Sequence, residues 1–394
     1  MGSRKAVFLL QTDPYVPKPV LRALREAESL ARAGWDVSFV SWIKGASTPT
    51  AHETRFPIRR VPSPVPPLGT SFVRRALAYM RASSRLRDIA LGEDPNLIVA
   101  HDFEVLSAAV SAGRRAGVSV IYDSHEDWPA LIAENSRLEA RIAAIQERRL
   151  IRAVAHVLTV SDPIAAKFRA RGTPTTVLYN ARSSSEVVLA DRDASRSNFG
   201  FVPTDFVVGF AGAFGIGRGL DILLEALSTL PPSVKGLLVG GPDEEGRRLR
   251  AMAETFGLRD RVRVDGYRSF RELGPYYASM DLGVVLLDRR PNHERALPNK
   301  LFDYMAHGVA VIVPEYPAMT PVVREGPAGW TVREITPESL AATIETARSS
   351  GKSTVRGKRG RDAYLTKYSW DHQEATFLSI VSSVISARGT STKK

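Results

Sequence analysis

Along most of the chain, short apolar runs of strand length alternate with segments whose apolar positions recur at helical spacing. The first unit of this rhythm is Ala6–Gln11, a helical stretch from Pro19 to Ala33, and Asp36–Trp42. Gly34 follows the helical stretch where a left-handed C-cap is expected, and the next strand begins at once. The pattern returns in Leu97–His101, a helix after Asp102, Val118–Tyr122, a long helix from Ser136, His156–Val160 and Thr175–Tyr179. Between Asn180 and Pro203 the periodicity lapses into polar residues, and this stretch is expected to be the linker between domains. A second series then starts: Phe206–Ala211, a helix from Gly219, Gly236–Val239, a helix from Asp243, Arg261–Val264, and a helix near Arg271–Ala278. It ends with Leu282–Leu287 and a helix after Pro298 that leads into Val309–Val313.

Such alternation predicts an α/β fold with two doubly wound, mostly parallel sheets, each one Rossmann-like domain. A length of 394 residues agrees with two domains. The boundaries read from the pattern are 1–183, 184–366 and a C-terminal piece, 367–394. Ligands are expected in a cleft between the domains, at the carboxyl ends of the strands. Ser369–Ala387 reads as an amphipathic helix with Trp370 as an anchor between the domains, and 389–394 should fray. The Pro-rich residues 61–67 read as a stiff loop.

Hydrophobic residues make up 44% of the chain, and no apolar run approaches the ~20 residues of a membrane span. Met1–Lys5 are followed only by the short run Ala6–Leu10, too brief for a signal-peptide core. With no cysteine there is no disulfide framework and no thiolate metal site, which suits a reducing compartment. A cytoplasmic protein is expected. The net charge of +12 draws anions, whether nucleotide phosphates, nucleic acid or an anionic membrane.

The excess is concentrated in residues 55–91, where Arg55, Arg59, Arg60, Arg74, Arg75, Arg81, Arg85 and Arg87 meet only Asp88. Residues 72–87 put Val73, Ala76, Leu77 and Met80 on one helical face with arginines beside it. An ordinary helix packed through that stripe fits this pattern, and so does peripheral contact of 70–91 with the inner face of a membrane. An anionic acceptor is a third match. No nucleic-acid partner is expected, because no aromatic platform or nucleic-acid motif accompanies the charge.

Candidate chemistry starts at residues 212–219, Gly-Ala-Phe-Gly-Ile-Gly-Arg-Gly, between a strand and a helix. Gly215 and Gly217 permit close backbone approach, the helix N-terminus offers amides to phosphate, and Arg218 adds a cationic fork. A tight turn with an exposed arginine is the plain alternative. In residues 293–308 a polar loop enters a helix. There the amides near Pro298, Asn299, Lys300 and Leu301, with the Lys300 charge, can hold a diphosphate, while Glu294 and Asp303 accept sugar or ribose hydroxyls. A capped helix with solvated charges is the alternative here. His101 ends a strand with Asp102 as a partner to orient it, and residues 122–128 form a second polar cluster with His125 and Glu126. The spacing of these histidines and acids matches no standard zinc motif, so no metal is expected.

Residues 212–219 and 298–308, with 237–242, 264–268 and 276–283 between them, form an ordered set that resembles the donor domain of family 4 of the retaining glycosyltransferases, also called group 1. The resemblance implies a GT-B architecture, with an acceptor-binding first domain and a donor-binding second one. It implies that Arg218 and Lys300 engage the diphosphate of a nucleotide sugar, that Gly266, Tyr267 and Arg268 lie at the base, and that Asp303 takes the ribose. Glu294 would contact the sugar, but the family's two glutamates have seven residues between them, so that Arg295 stands where the first is expected, eight before Asp303, and Glu294 is displaced by one. The first half resembles the family through residues 19–34 and 99–102, with Gln11–Pro17 in place of its glycine-rich loop. It implies a histidine, His101, near the reacting sugar, with His125 and Glu126 on the acceptor side. Transfer would proceed with retention and without metal or cofactor, onto a sugar, lipid or small-molecule acceptor. An epimerase or hydrolase on the same fold and a non-catalytic, membrane-associated binding protein are the rival readings.

Overall fold

Residues 6–10 are buried on both faces, as near-continuous apolar strands must be inside a parallel sheet. They belong to the first of two units in the computed structural model, which describes residues 4–15, 20–43, 55–62 and 71–391. The first unit comprises Met1–Leu178 with Glu374–Lys394, and the second Tyr179–Gln373.

The first unit runs β1 (Lys5–Leu10), α1 (Leu21–Arg32), β2 (Asp36–Ile43), β3 (Ile58–Pro62), α2 (Phe72–Gly92), β4 (Leu97–His101) and α3 (Phe103–Ala116). It continues through β5 (Ser119–Ser124), α4 (Trp128–Ala133), α5 (Arg137–Leu150), β6 (His156–Thr159), α6 (Asp162–Arg169) and β7 (Thr175–Val177). The strands form one parallel sheet in the order β3-β2-β1-β4-β5-β6-β7. The order reverses between β1 and β4, so the carboxyl ends of β1, β4 and β5 carry the polar residues that matter below.

In the second unit α7 (Arg192–Phe199) precedes β8 (Phe206–Ala213), α8 (Leu220–Thr229), β9 (Val234–Gly241), α9 (Asp243–Thr255), β10 (Val262–Asp265), α10 (Gly274–Ser279) and β11 (Leu282–Val284). Then come α11 (Pro291–Arg295), α12 (Asn299–Ala306), β12 (Ala310–Pro314), α13 (Met319–Glu325), β13 (Gly329–Val332), α14 (Pro337–Ser349), α15 (Ser353–Ala363) and α16 (Trp370–Ser391), whose residues from Glu374 onward belong to the first unit. The second sheet is also parallel, in the order β10-β9-β8-β11-β12-β13.

Two expectations need correction. Residues 180–203 are not featureless, since α7 lies within them. Its hold is both polar and apolar: Asp191 caps it by accepting from the Ala194 amide at 2.8 Å, the buried Arg196 pairs with Asp281 at 3.2 Å, and Phe199 packs on the Tyr276 ring. The Pro-rich stretch is partly strand, because Val61 and Pro62 end β3, an edge position where the missing amide costs no ladder bond; residues 63–67 lie outside the described residues. The C-terminal helix is described to Ser391, and residues 392–394 lie outside the described residues.

The basic helix α2 forms, but it does not pack through Val73, Leu77 and Met80, which are 64%, 45% and 56% exposed. It buries the neighbouring stripe Ala82, Leu86 and Ala90 in the core instead, with Tyr79 and Ile89 packed partly against it. Small residues at 82 and 90 let the helix approach the sheet closely, which the larger residues of the outer stripe would prevent.

Candidate functional site

The turn after β8 is built around two glycines that no other residue replaces without strain. Gly217 and Gly219 have φ of +77° and +66°, and a Cβ would lie 2.9 Å from an Asp288 carboxylate oxygen at the first and 2.5 Å from Leu286 Cβ at the second. The Asp288 amide donates to the Gly217 carbonyl at 3.1 Å, while its carboxylate meets Arg290 and His293, both at 2.7 Å. The turn is thereby fastened to the chain beyond β11. Gly215 has open space around it, and Ile216 at the tip is 95% exposed.

Beside this turn stands the start of α12. Pro298 is its N-cap, with no side-chain cap. The Leu301 amide donates to the Pro298 carbonyl at 3.0 Å and its side chain is fully buried. The four-position amide cradle read from the sequence therefore narrows to Asn299 and Lys300, since proline has no N–H and that of Leu301 is engaged.

Lys300 reaches under β8. Its Nζ lies 3.4 Å from the centroid of the Phe210 ring, in space that a Cβ at Gly212 would restrict to 2.9 Å. Burial pushes its pKa well below the ordinary lysine value, and the Arg218 charge pushes it further, against the opposing pull of Asp303. Among the described residues, neither Lys300 nor Arg218 has a carboxylate within 4.0 Å. Asp303 gives one oxygen to Arg182 at 3.1 Å instead, and that guanidinium lies 3.3 Å from the centre of Phe270. Tyr304 fixes the helix: the Ala211 amide donates to its hydroxyl at 2.9 Å.

The remaining residues of the second unit are placed less centrally. Glu294 accepts from Arg289 at 2.8 Å, so its carboxylate is held by a neighbouring cation. Tyr267 is 61% exposed, Arg268 donates to the Tyr267 carbonyl at 3.0 Å, and a Cβ at Gly266 would lie 3.0 Å from Asp243.

In the first unit, the ends of β4 and β5 and the start of α1 assemble a buried ionic cluster. Arg22 grips Asp123 with two bonds of 2.6 and 2.7 Å. His101 is 2% exposed, stacks on Phe8, and sets Nε2 3.4 Å from Glu26 and Nδ1 3.3 Å from Asp123. His125 Nε2 is 2.9 Å from the same Asp123 oxygen. Asp102, with φ of +70°, does not orient His101 as the sequence suggested; it accepts from the His125 amide and the Trp128 indole, both at 3.0 Å. The positive φ turns the residue away from the strand direction, and Glu26 and Asp123 take its place. Glu126 is half-buried, and its carbonyl accepts from the Ser124 hydroxyl at 3.0 Å.

Charge in the cluster is uneven. Burial opposes ionisation of His125, but the Asp102 and Asp123 carboxylates outweigh it and raise the imidazole to about 9. Burial also opposes the Asp123 carboxylate, yet Arg22 and His125 hold it well below its usual range. His101, Asp123 and His125 bring ligand-type atoms within 4.8 Å of one another. Arg22 already engages both oxygens of Asp123.

Sequence reading missed Arg22, Glu26, Asp123, Arg182 and Asp288. Arg22 and Glu26 leave a trace, an i,i+4 charged pair on the apolar side of α1. Asp123 leaves another, an acid at the end of an apolar strand. Arg182 and Asp288 carry no local signal.

The family model described as a glycosyl transferase 4-like domain matches residues 19–181, and the one described as glycosyl transferases group 1 matches residues 205–349. The chain belongs to the group 1 glycosyltransferases. Among its relatives, the D-inositol 3-phosphate glycosyltransferase of Xylanimonas cellulosilytica is 26% identical over 48% of this chain and 45% of its own length. That of Rhodococcus opacus is 24% identical over 73% of this chain and 67% of its own. The chain thus spans between about half and two thirds of these curated relatives. Among solved structures, it is similar to sucrose-phosphate synthase from Thermosynechococcus elongatus, with TM-score 0.79, 17% identity, and coverage of 98% of this chain and 100% of that one. Anabaena HepE in complex with UDP and glucose gives TM-score 0.73, 20% identity and the same coverage. These likenesses show the GT-B fold, with its two Rossmann-like domains.

Proposed function

We propose that this group 1 glycosyltransferase moves a sugar from a nucleoside diphosphate sugar to an acceptor hydroxyl, with retention and with no resident metal or cofactor. The observation that carries the reading is the Arg218 and Lys300 pair, two neighbouring cations with no carboxylate within 4.0 Å among the described residues. Such a pair is complementary to a diphosphate, and most so as its bond to the sugar breaks and negative charge gathers on it. The amides of Asn299 and Lys300 add donors at the same helix end. The bond from the anomeric carbon to the diphosphate oxygen breaks, the acceptor oxygen bonds that carbon on the same face, and the departing phosphate oxygen takes the acceptor proton. No protein nucleophile is needed. Asp303 is proposed for the ribose, Glu294 for the sugar, and Gly266, Tyr267 and Arg268 for the base. His101, held by Glu26 and Asp123, is the candidate to approach the reacting sugar, with His125 and Glu126 on the acceptor side.

HepE was solved with UDP-glucose, which makes UDP sugars the first donors to test. A lipid-linked, natural-product or polysaccharide acceptor fits, and a lipid-linked one gains support from the basic segment 70–91. No helix among the described residues is long and apolar enough to cross a membrane. On the basic segment 70–91 and a cysteine-free sequence, we place the enzyme in the cytoplasm, peripherally at the inner face. Calorimetric titration of UDP into the wild type, Arg218→Ala and Lys300→Ala tests the site. At least a tenfold loss of affinity in each variant is expected, and unchanged affinity rejects it. A new glycosidic linkage in the product, rather than free or epimerised sugar, separates transfer from hydrolysis and epimerisation.

A further inference from the structure

We infer that α2 and α5 of the first unit together form a docking face for an anionic lipid bilayer, so that the protein is held at the membrane by a two-helix surface. This deepens the peripheral-membrane part of the reading above and is independent of whether the donor site is correctly placed.

Five of the twelve large apolar side chains that are exposed among the described residues lie on these two helices. Val73, Leu77 and Met80 follow i, i+4, i+7 on α2, while Leu138 and Ile145, 67% and 52% exposed, follow i, i+7 on α5. Each helix keeps a separate buried stripe, Ala82, Leu86 and Ala90 on α2 and Ala140, Ala143 and Glu147 on α5, so the outer apolar residues are not needed for folding. The two helices are joined directly, since Arg75 of α2 bonds Glu139 of α5. The outer residues therefore belong to one surface.

Charge selects the occupant. The two helices carry nine arginines and three carboxylates. Each carboxylate is already engaged: Asp88 with Arg87 at 2.7 Å, Glu139 with Arg75, and the buried Glu147 with Lys167 at 2.9 Å. Arg74, Arg81 and Arg85 are exposed on α2, as are Arg137 and Arg141 on α5. Exposed apolar side chains interleaved with unopposed arginines suit the headgroup boundary of an anionic leaflet, where the apolar tips enter the acyl region and the guanidinium groups stay at the phosphates. Nucleic acid is a poor match, because among the described side chains no exposed aromatic ring stands on this face for base stacking.

The test uses the full chain and sedimentation with vesicles of phosphatidylcholine containing 30% phosphatidylglycerol, against phosphatidylcholine alone. Binding to the anionic vesicles is expected, with little to the neutral ones and a marked decline as salt rises. Leu77→Gln with Met80→Gln should weaken binding about tenfold or more. Removing Arg81 or Arg85 as alanine should weaken it about fivefold each. These side chains are solvent-exposed, so melting temperature and UDP affinity should stay at wild-type values, which separates failure of this surface from failure of the donor site. Absence of binding to anionic vesicles, equal binding to neutral ones, or wild-type binding by the Leu77→Gln, Met80→Gln variant overturns the inference. So does a dimer in sedimentation velocity that this variant dissolves while vesicle binding is absent, because a second copy is then the occupant.

Discussion

The ammonium of Lys300 stands 3.4 Å from the centre of the Phe210 ring, and among the described residues no hydrogen bond or ion pair engages it. Burial and Arg218 both disfavour its charge. An aromatic face returns part of the lost hydration, on the order of 1–2 kcal/mol, and a bound anion would return more. The free protein therefore disfavours the Lys300 charge that the proposed diphosphate would favour.

Replacing that charge should raise stability and remove function together. Lys300→Met keeps the length and the apolar contact with Phe210, so the unliganded protein should gain about 1–2 kcal/mol and melt several degrees higher. UDP affinity should fall by at least a hundredfold. Thermal denaturation without ligand and calorimetry with UDP measure the two effects. A variant that melts lower and still binds UDP contradicts the arrangement.

The depressed Lys300 pKa also gives donor binding a pH dependence. A bound diphosphate favours the ammonium, so Lys300 binds a proton more tightly in the complex than in the free protein, and UDP binding should take up protons near the pKa of the free form. Affinity should decline as pH rises through a value below the ordinary lysine range. Arg218→Gln removes one cause of the depression and should move that decline to higher pH, besides weakening binding overall. Calorimetry in buffers of different ionisation enthalpy reads the proton uptake directly. No dependence on buffer at any pH below the ordinary lysine range would falsify this coupling.

His125 predicts the stability profile of the first unit. Its folded pKa, about 9, lies above the unfolded value of 6.5, so its charge stabilises the fold fully below about 6.5. That contribution is lost as pH rises through about 9. Its size is on the order of 2–3 kcal/mol. Urea denaturation of the wild type should show stability falling between pH 6.5 and 9. His125→Gln should be flatter over that interval, and both should lose stability in acid as Asp123, whose pKa is depressed, becomes protonated. A His125→Gln profile parallel to the wild type assigns the fall to another group.

These groups were unequally legible. The strands and most helices follow directly from apolar periodicity, because a parallel sheet imposes the same burial on every interior strand. Arg218, Lys300 and Asp303 are visible because they sit beside turn glycines and a helix start, which are local signals. His101 was visible too, but its partners were not. Asp102 is adjacent in sequence and turns away at positive φ, whereas Glu26 comes from α1 and Asp123 from β5. The register of three elements sets that choice, not spacing. The wrong face was assigned to α2 for a related reason: size and hydropathy favour Val73, Leu77 and Met80, but close packing against the sheet favours alanine.

The glycines of the turn after β8 separate conformational need from contact with ligand. Gly219 has φ of +66°, and an added Cβ would fall 2.5 Å from Leu286 Cβ and 2.8 Å from the Leu286 carbonyl oxygen, neither of which can swing aside as a flexible side-chain end would. Gly219→Ala should therefore cost about 2–3 kcal/mol and displace the turn that carries Arg218. At Gly217 the obstacle is the Asp288 carboxylate, 2.9 Å away, so Gly217→Ala should cost less, about 1–2 kcal/mol, by disturbing the bonds of Asp288 to Arg290 and His293. Gly215 has neither a positive φ nor a neighbour within 4 Å, and Gly215→Ala should leave stability within about 0.5 kcal/mol of wild type. Since a methyl group there points into open space, any loss of UDP affinity in Gly215→Ala with an unchanged melting temperature locates the ligand against that backbone. Equal stability losses at all three positions would show that the turn responds to glycine replacement generally rather than to the named contacts.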